Sequence, residues 1–438
     1  MSISRQTFLV GLSLILASPG FSQTAVVDAS APAPITITLQ DAIARAKANS
    51  PEFHAALTEQ GLAQQDRVQA RALLLPSVNY NSQFIYTQPS FDNLPRFIAN
   101  NGVHEYIAQG NAHQQLSAAD LALYGRSIAL AEVARAKAQI AARGLIVTVV
   151  QNYYGFVVAQ RKYSTSQMAA TEAERFYDIS QKLERGGEVA HSDAIKAHLQ
   201  FNDRQRDLRE SSLNLERARV ALALLLFPDF NQNFSAVDDL RLPDGVPSYE
   251  EVERLAKQNN PDLGVALSAV KAGTFEVQSA RAGYLPVVTF DYNYGIDAEN
   301  FATRRNGIKN LGYSAAATLN LPIWNWGSTH SKVKQSILRR DQAKLELTAA
   351  QRKLLGNLKL LYQEAQTSSA ELDLLRQSAQ LASESLRLTT LRYQGGEATV
   401  LEVVDAQNTL ATARNAFDDG EVRYRTALAS LQTLTGSF

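Results

Sequence analysis

Glu402 and Asp405 stand three residues apart just beyond a glycine pair, Gly395–Gly396, in "YQGGEATVLEVVDAQ". On a helix that spacing puts both carboxylates on one face. Repeated around a symmetry axis, such acids would focus negative potential, favour cations and attract multivalent blockers. Like-charge crowding would also raise some of their pKa values. The competing reading is a pair of solvated acids on a helix exterior. Two histidine pairs invite a metal reading: His191 and His198 lie seven apart in a helical segment, and His104 and His113 are expected on one strand face. With two Met and no Cys there is no soft-ligand track, so solvated or hydrogen-bonded histidines are favoured and no metal or other cofactor is expected. No G-x-S-x-G, H-E-x-x-H, P-loop or G-x-G-x-x-G occurs. Hydrolase, zinc and nucleotide chemistry therefore lack their usual arrangements, and no catalytic residue is assigned.

The 438 residues hold 43 basic and 43 acidic side chains, so no global basic field points to nucleic acid. The absence of cysteine excludes disulfides, thiolate metal sites and the acceptor of a bacterial lipoprotein anchor. Residues 1–22 read as a secretory signal: Arg5 is the charged start, Phe8–Ala17 the apolar run, and Gly20 and Ser22 the small residues before a cut at Gln23. Thr24–Pro34 then reads as a mobile mature N-terminus. Gly144–Ala159 is apolar but interrupted by Gln151 and Asn152, and is expected as a buried helical stretch rather than a membrane span.

The elements that would carry these residues are written twice. Pro51 and Pro76 recur as Pro261 and Pro286, displaced by 210, and in that register Lys47, Asn49, Ala56 and Arg71 match Lys257, Asn259, Ala266 and Arg281. Gly125 is paired with Gly327, and the "GGE" at Gly186–Gly187 matches that at Gly395–Gly396. Each half reads as a helix of about 35 residues, a strand segment, a helix of about 60–68 and a return helix of about 40. The boundaries expected are residues 23–227 for the first repeat, 228–248 for a linker and 249–438 for the second. Strands are expected over about 77–88, 104–116, 287–297 and 309–322.

In those strands aromatics alternate with small polar residues: Tyr80, Phe84, Phe290, Tyr292, Tyr294 and Tyr313 against Asn79, Asn81, Asp291 and Asn293. That pattern fits a lipid-facing barrel wall with a wet interior. The connections Gln88–Val103 and Asp297–Lys309 are expected outside the cell. Sevens such as Val403, Leu410, Phe417, Tyr424 and Leu431 predict antiparallel coiled-coil packing across the Gly-Gly turns. Trp324 and Trp326 suit either an aromatic interface girdle or packing at a strand-to-helix junction. Four strands cannot close a barrel, and open edges are not tolerated in lipid, so the chain must oligomerise. Polar inward residues favour a larger pore, hence a trimer.

The duplicated "ARAKANSPEF…ARALLLPSVNY" and "RLAKQNNPDL…ARAGYLPVVTF" blocks, "LNLPIWNWGS" and "YQGGEATVLEVVDAQNTLATAR" together resemble the TolC-type outer membrane efflux proteins, over about residues 36–436. The resemblance implies a mostly α fold with a small β part, in duplicated helix-strand-strand-helix-helix halves. It further implies a homotrimer with a 12-stranded outer membrane β-barrel, four strands per chain, continued by a periplasmic α-helical barrel. The implied role is the exit duct of a tripartite efflux pump or type I secretion system. Its partners would be outer membrane lipid, a periplasmic adaptor and an inner membrane pump or secretion ATPase. Many relatives carry a lipidated N-terminal Cys; this chain has none, so anchoring is expected to rest on the barrel. By the same resemblance Glu402 and Asp405 match the ring acids of a periplasmic gate, Tyr393 a constricting tyrosine and Asp193 its acidic partner, while Ala398 replaces an arginine latch. Gly186, Gly187, Gly395 and Gly396 are the expected adaptor-docking tips. The rival reading is a periplasmic coiled-coil adaptor or scaffold, which would explain the heptads but not the paired aromatic strands.

Overall fold

The computed structural model describes residues 35–87, 104–240 and 245–436. The signal segment, the N-terminal stretch and the 88–103 connection read from the sequence lie outside the described residues. The chain opens with β1 (Ile35–Ile37), α1 (Leu39–Asn49), α2 (Pro51–Ala72), β2 (Ser77–Tyr86), β3 (His104–Leu116), α3 (Ala118–Arg185) and α4 (His191–Leu226). After β4 (Phe234–Ala236) the plan recurs as α5 (Tyr249–Asn259), α6 (Pro261–Ala282) and β5 (Val287–Ala298). A small hairpin, β6 (Arg304–Arg305) and β7 (Ile308–Lys309), leads to β8 (Leu311–Asn320), α7 (Ser328–Gln394) and α8 (Val400–Thr435).

The single helix of about 35 residues expected at the start of each half is in fact two, of 11 and 22 residues. Proline at the first position of α2 and α6 has no N–H to give and pushes the residue before it out of the helical region. Ser50 and Asn260 take up that extended conformation, and each caps the second helix by accepting from Phe53 N and Leu263 N. The repeat-matched Asn49 and Asn259 then do one job twice. Asn49 donates to the Leu226 carbonyl at the end of α4 (2.7 Å), and Asn259 to the Thr435 carbonyl at the end of α8 (3.2 Å). Carbonyls at helix ends have no intrahelical donor, and these amides supply one. The long helices measure 68 and 67 residues and the return helices 36 each.

One repeat match fails. Gly327 is the left-handed N-cap of α7 (φ 80°), whereas Gly125 lies inside α3, where a Cβ would come within 2.6 Å of the Phe275 ring of α6. The residue standing where Gly327 does is Ser117, the N-cap of α3. The two glycines share identity but not position in the repeat.

Four strands form one antiparallel sheet in the order β2-β3-β5-β8. Register joins Ser77 to His113, Leu116 to Val288 and Val287 to Asn320. One face carries Tyr80, Phe84, Phe290, Tyr292, Tyr294 and Tyr313, all exposed on the protomer. The other is hydrogen-bonded and polar, with Asn111 to Asn293 at 2.8 Å and His113 to Asp291 at 2.7 Å. His104 and His113 are nine apart in an unbroken strand, so they occupy opposite faces and not one. In the connection after β5, Asn306 and Gly307 take φ of 50° and 82° and turn the β6–β7 hairpin, as a two-residue Asn-Gly turn does. Trp324 and Trp326 meet edge to face at 5.9 Å but stay exposed, Trp326 at 89%. They therefore do not pack into the protomer's junction.

The core around the stretch expected to be buried sits midway along the long helices. β1 and β4 pair in parallel and bring Ile37 and Phe234 onto the apolar Gly144–Ala159 stretch of α3, with Leu222 and Leu226 of α4 closing it. The Tyr153 hydroxyl lies 2.8 Å from the Val237 carbonyl and 3.1 Å from that of Ile37, so α3 holds both flanking segments. Beside this core, Arg161 grips both Asp238 oxygens at 2.7 Å and also contacts Asp418 and Glu421 of α8. Burial alone would raise Asp238, but the Arg161 hydrogen bonds and charge outweigh it and hold the carboxyl low. Burial wins at Asp418, which is pushed up.

The tyrosines of this core give a pH signature. Burial, with Asp239 adding and Arg425 opposing, lifts the Tyr154 phenol from its ordinary 10.0 to about 12, and burial raises Tyr153 as well. A raised folded pKa means that the native state keeps protons the unfolded chain releases. Stability is then fully present below pH 10.0 and lost as pH climbs through about 12. Phenolate absorbance should show two tyrosines titrating late in native protein, and the unfolding midpoint should fall over that window. In Tyr154→Phe the fall should be smaller; an unchanged alkaline profile would place the loss elsewhere.

Candidate functional site at the hairpin tips

Each long helix ends in the same turn. Gly187 and Gly396 take φ of 77°, and the following amide reaches back, Glu188 N to Leu183 O at 2.9 Å and Glu397 N to Arg392 O at 2.8 Å. This six-to-one closure needs a left-handed residue, which glycine adopts without a Cβ penalty. Gly186 and Gly395 are right-handed or nearly so and have room for a Cβ, so only the second glycine of each pair is required by the turn. Nothing stands within 4 Å of a Cβ added at Gly187 or Gly396, so both tips face open space on the protomer.

The two tips differ in how the return helix starts. α4 begins at Ala190 without a side-chain cap, whereas α8 begins with a reciprocal capping box. Thr399 accepts from Glu402 N, and Glu402 accepts from Thr399 N at 3.0 Å and from its hydroxyl at 3.1 Å. Arg392, from the end of α7, stands 3.5 Å from the other Glu402 oxygen and donates to Glu397 O. Glu402 is therefore tied into its own turn. The Thr399 amide and hydroxyl, then Arg392, hold its carboxyl below the ordinary 4.5. Asp405, one turn on, is exposed and makes no ion pair among the described residues.

The other two sequence-derived positions go elsewhere. Tyr393 is buried, 5% exposed, with its ring 5.0 Å from Phe176 and its hydroxyl 3.2 Å from Ser180 Oγ on α3. Asp193 is half-buried and pairs with Lys196 on its own helix at 3.2 Å. The structure thus joins Tyr393 to Ser180 and not to Asp193, and it sets Glu402 and Asp405 on the exposed side of α8 while Val403 and Ala406 face inward. Ala398 packs against the apolar cluster under the tip. Ser180, Arg392 and the contact of Arg204 with Asn408 across α4 and α8 are missing from the sequence reading. Ser180 and the Arg204–Asn408 contact join residues that only helix packing brings together, while Arg392 reaches its partners across its own turn. His198 stacks on Tyr177 at 4.6 Å and His191 contacts Glu184. No cluster of three or more metal-ligating side chains occurs among the described residues.

The sequence profile described as Outer membrane efflux protein matches residues 42–226 and again 253–437. The chain is 23% identical over 408 residues to the alkaline protease secretion protein AprF of Pseudomonas aeruginosa, covering 89% of this chain and 82% of that one. It is also 23% identical over 427 residues to the cobalt-zinc-cadmium resistance protein CzcC of Cupriavidus metallidurans, covering 94% of each. Its fold matches the crystal structure of the Campylobacter jejuni CmeC outer membrane channel with a TM-score of 0.80 at 18% identity, over 97% of this chain and 94% of that one.

The cap at α8 can be tested directly. Thr399→Ala should cost about 1 kcal/mol locally, so amide exchange over residues 400–403 should quicken about fivefold while the α4 start is unmoved. Because the Glu402 carboxyl is depressed, its contribution is present above 4.5 and lost as pH falls through its folded value. Exchange at the α8 start that is insensitive to acid would show that the box contributes nothing.

Proposed function

The chain belongs to the outer membrane efflux protein family, and from that premise we propose that it works as a homotrimeric duct with its aperture at the Gly-Gly tips. It is an outer membrane channel of efflux and type I secretion systems, and it extends into the periplasm. The observation that carries the trimer is a matched pair of open sides. β2 and β8 are the unpaired edges of the sheet. Below them α2 packs on α3 yet buries none of its residues, while α6 is held between α3 and α7. Leu62 and Val68 of α2, and Leu338 and Leu345 of α7, are left exposed. A second copy added head to tail would give β8 a β2 and α7 an α2, and three copies bring twelve strands to one ring.

The internal repeat supplies the register of that joint. β3 and β5 pair Leu116 with Val288. Carrying β5 back onto β2 and β3 forward onto β8 by the observed pairings sets Asn320 beside Asn81 of the neighbouring copy. Thr318 then meets Gln83 and Ala317 meets Phe84, polar with polar and apolar with apolar, which supports the register. In this arrangement Tyr80, Phe84, Phe290, Tyr292, Tyr294 and Tyr313 face lipid, and the Asn111–Asn293 side faces water. Helices of 68 and 67 residues would carry the tube roughly 100 Å onward. At its end Glu402 and Asp405 form two acid rings, Tyr393 anchors α7 to α3, and Asp193 lies on the outer hairpin. The tips at Gly186, Gly187, Gly395 and Gly396 meet a periplasmic adaptor, itself linked to an inner membrane pump or secretion ATPase. Relatives in sequence are named for protease secretion and for metal resistance, so cargo choice is assigned to the inner membrane partner.

Oxidation of an Asn81→Cys, Asn320→Cys protein should yield heat-stable covalent oligomers ending at the trimer, since the wild-type chain has no cysteine to interfere. Asn81→Cys with Leu319→Cys puts the thiols on opposite faces and should not link; the reverse result would overturn the register. In planar bilayers Glu402→Ala with Asp405→Ala should raise conductance or weaken cation preference and multivalent-cation block. Unchanged conductance, selectivity and block in that variant would remove these acids from the aperture.

A further inference from the structure

A cavity of about 670 Å³ lies on α8 between α3 and α7, short of the tips. Its floor is apolar: Phe176, Leu386, Val403 and Leu410 belong to the cluster that also holds Tyr393. Its rim takes one arginine from each of three helices, Arg175 of α3, Arg387 of α7 and Arg414 of α8. None of the three makes an ion pair or hydrogen bond to described residues. A single acid, Glu172, lines the same space and is likewise unpaired. Elsewhere on these helices arginines are commonly satisfied, Arg161 by three carboxylates and Arg423 by Glu364 and Glu371. One polar atom of the lining is buried without a donor, the Gln407 side-chain oxygen.

We propose that this cavity binds an anionic amphiphile, an organic acid with an aliphatic body and a hydroxyl group. The volume falls in the range of small-molecule sites, and an apolar floor with few convergent polar groups is their usual build. Three guanidinium groups against one carboxylate leave an excess of two positive charges at the rim. Arginine recognises carboxylate bidentately. Over that buried floor the aliphatic body covers Leu391, which is exposed, and the half-buried Ile179, apolar surface that otherwise faces water at an energetic cost. The hydroxyl supplies the hydrogen-bond donor that the Gln407 oxygen lacks, since a buried acceptor without a partner is expensive. A ligand seated there ties α3 to both α7 and α8 beside the contact of Tyr393 with Ser180. The site rests on the protomer's own groove and stands apart from the oligomer and aperture reading.

The test uses the full-length protein in lipid nanodiscs, free of competing detergent, with dodecanoate, 3-hydroxydodecanoate and dodecyltrimethylammonium as probes in equilibrium binding. The expected result is saturable binding of both acids, weakened by salt, and none of the cation. Arg175→Gln, Arg387→Gln and Arg414→Gln should each weaken dodecanoate binding about tenfold, while Arg209→Gln, on the exposed side of α4, should not. The hydroxy acid should bind about fivefold tighter than dodecanoate, and Gln407→Leu should erase that advantage. Circular dichroism and oligomer migration check that each variant folds. Equal uptake of the cation, or wild-type affinity in all three arginine variants, would overturn the site. A hydroxyl that brings no gain would remove Gln407 from it.

Discussion

A strand in hydrocarbon has no water to satisfy its amides, so every N–H and C=O along its edge must find another strand. This chain brings only four strands to its main sheet, and that sheet leaves β2 and β8 unpaired. The rest of the architecture follows from that shortage. The same two sides carry the helix that buries nothing, α2, and the exposed leucines of α7. Sheet and helices are thus incomplete at the same places. In the trimer we propose, the chain reaches its membrane form by repeating itself around an axis.

The repetition is internal as well. Asn49 and Asn259 close their halves by one hydrogen bond to the last turn of the return helix, and Ser50 and Asn260 each end one helix while starting the next. These are local devices, and they recur because each half has the same carbonyls to satisfy and the same proline to accommodate. The halves diverge where they meet each other. The first half supplies the apolar run Gly144–Ala159, which receives β1 and β4. The second supplies Asp418 and Glu421, which turn toward Arg161 of the first. Those cross-half contacts fix the position of α8 on α3, and with it the cavity and the tip.

At the tip the same logic separates turn from function. Gly187 and Gly396 are required by backbone geometry. Glu402 is first a capping residue, held by Thr399 and Arg392, and any field it contributes to an aperture comes from a carboxylate already fixed in place. A preset side chain loses little freedom when copies come together. Asp405 carries no such tie.

What the sequence determined by itself was everything with a short period or an exact repeat. Alternation at Val288–Ile296 and the sevens from Val403 to Leu431 report faces directly, because strand and helix geometry turn spacing into direction. Proline spacing revealed the duplication, and apolarity alone marked Gly144–Ala159 as buried. Spacing failed where identity was mistaken for position, as with Gly125 and Gly327, and where a nine-residue gap was read as one strand face at His104 and His113. Only the tertiary structure decided what covers the apolar run, because β1 and β4 are three residues each and pair across 199 positions, too short to show a period. It also decided that Tyr393 meets Ser180, and that Arg175, Arg387 and Arg414 share one cavity. Each of those residues looks ordinary in its own helix. Their meaning comes from the way three helices pack, and no linear pattern records it.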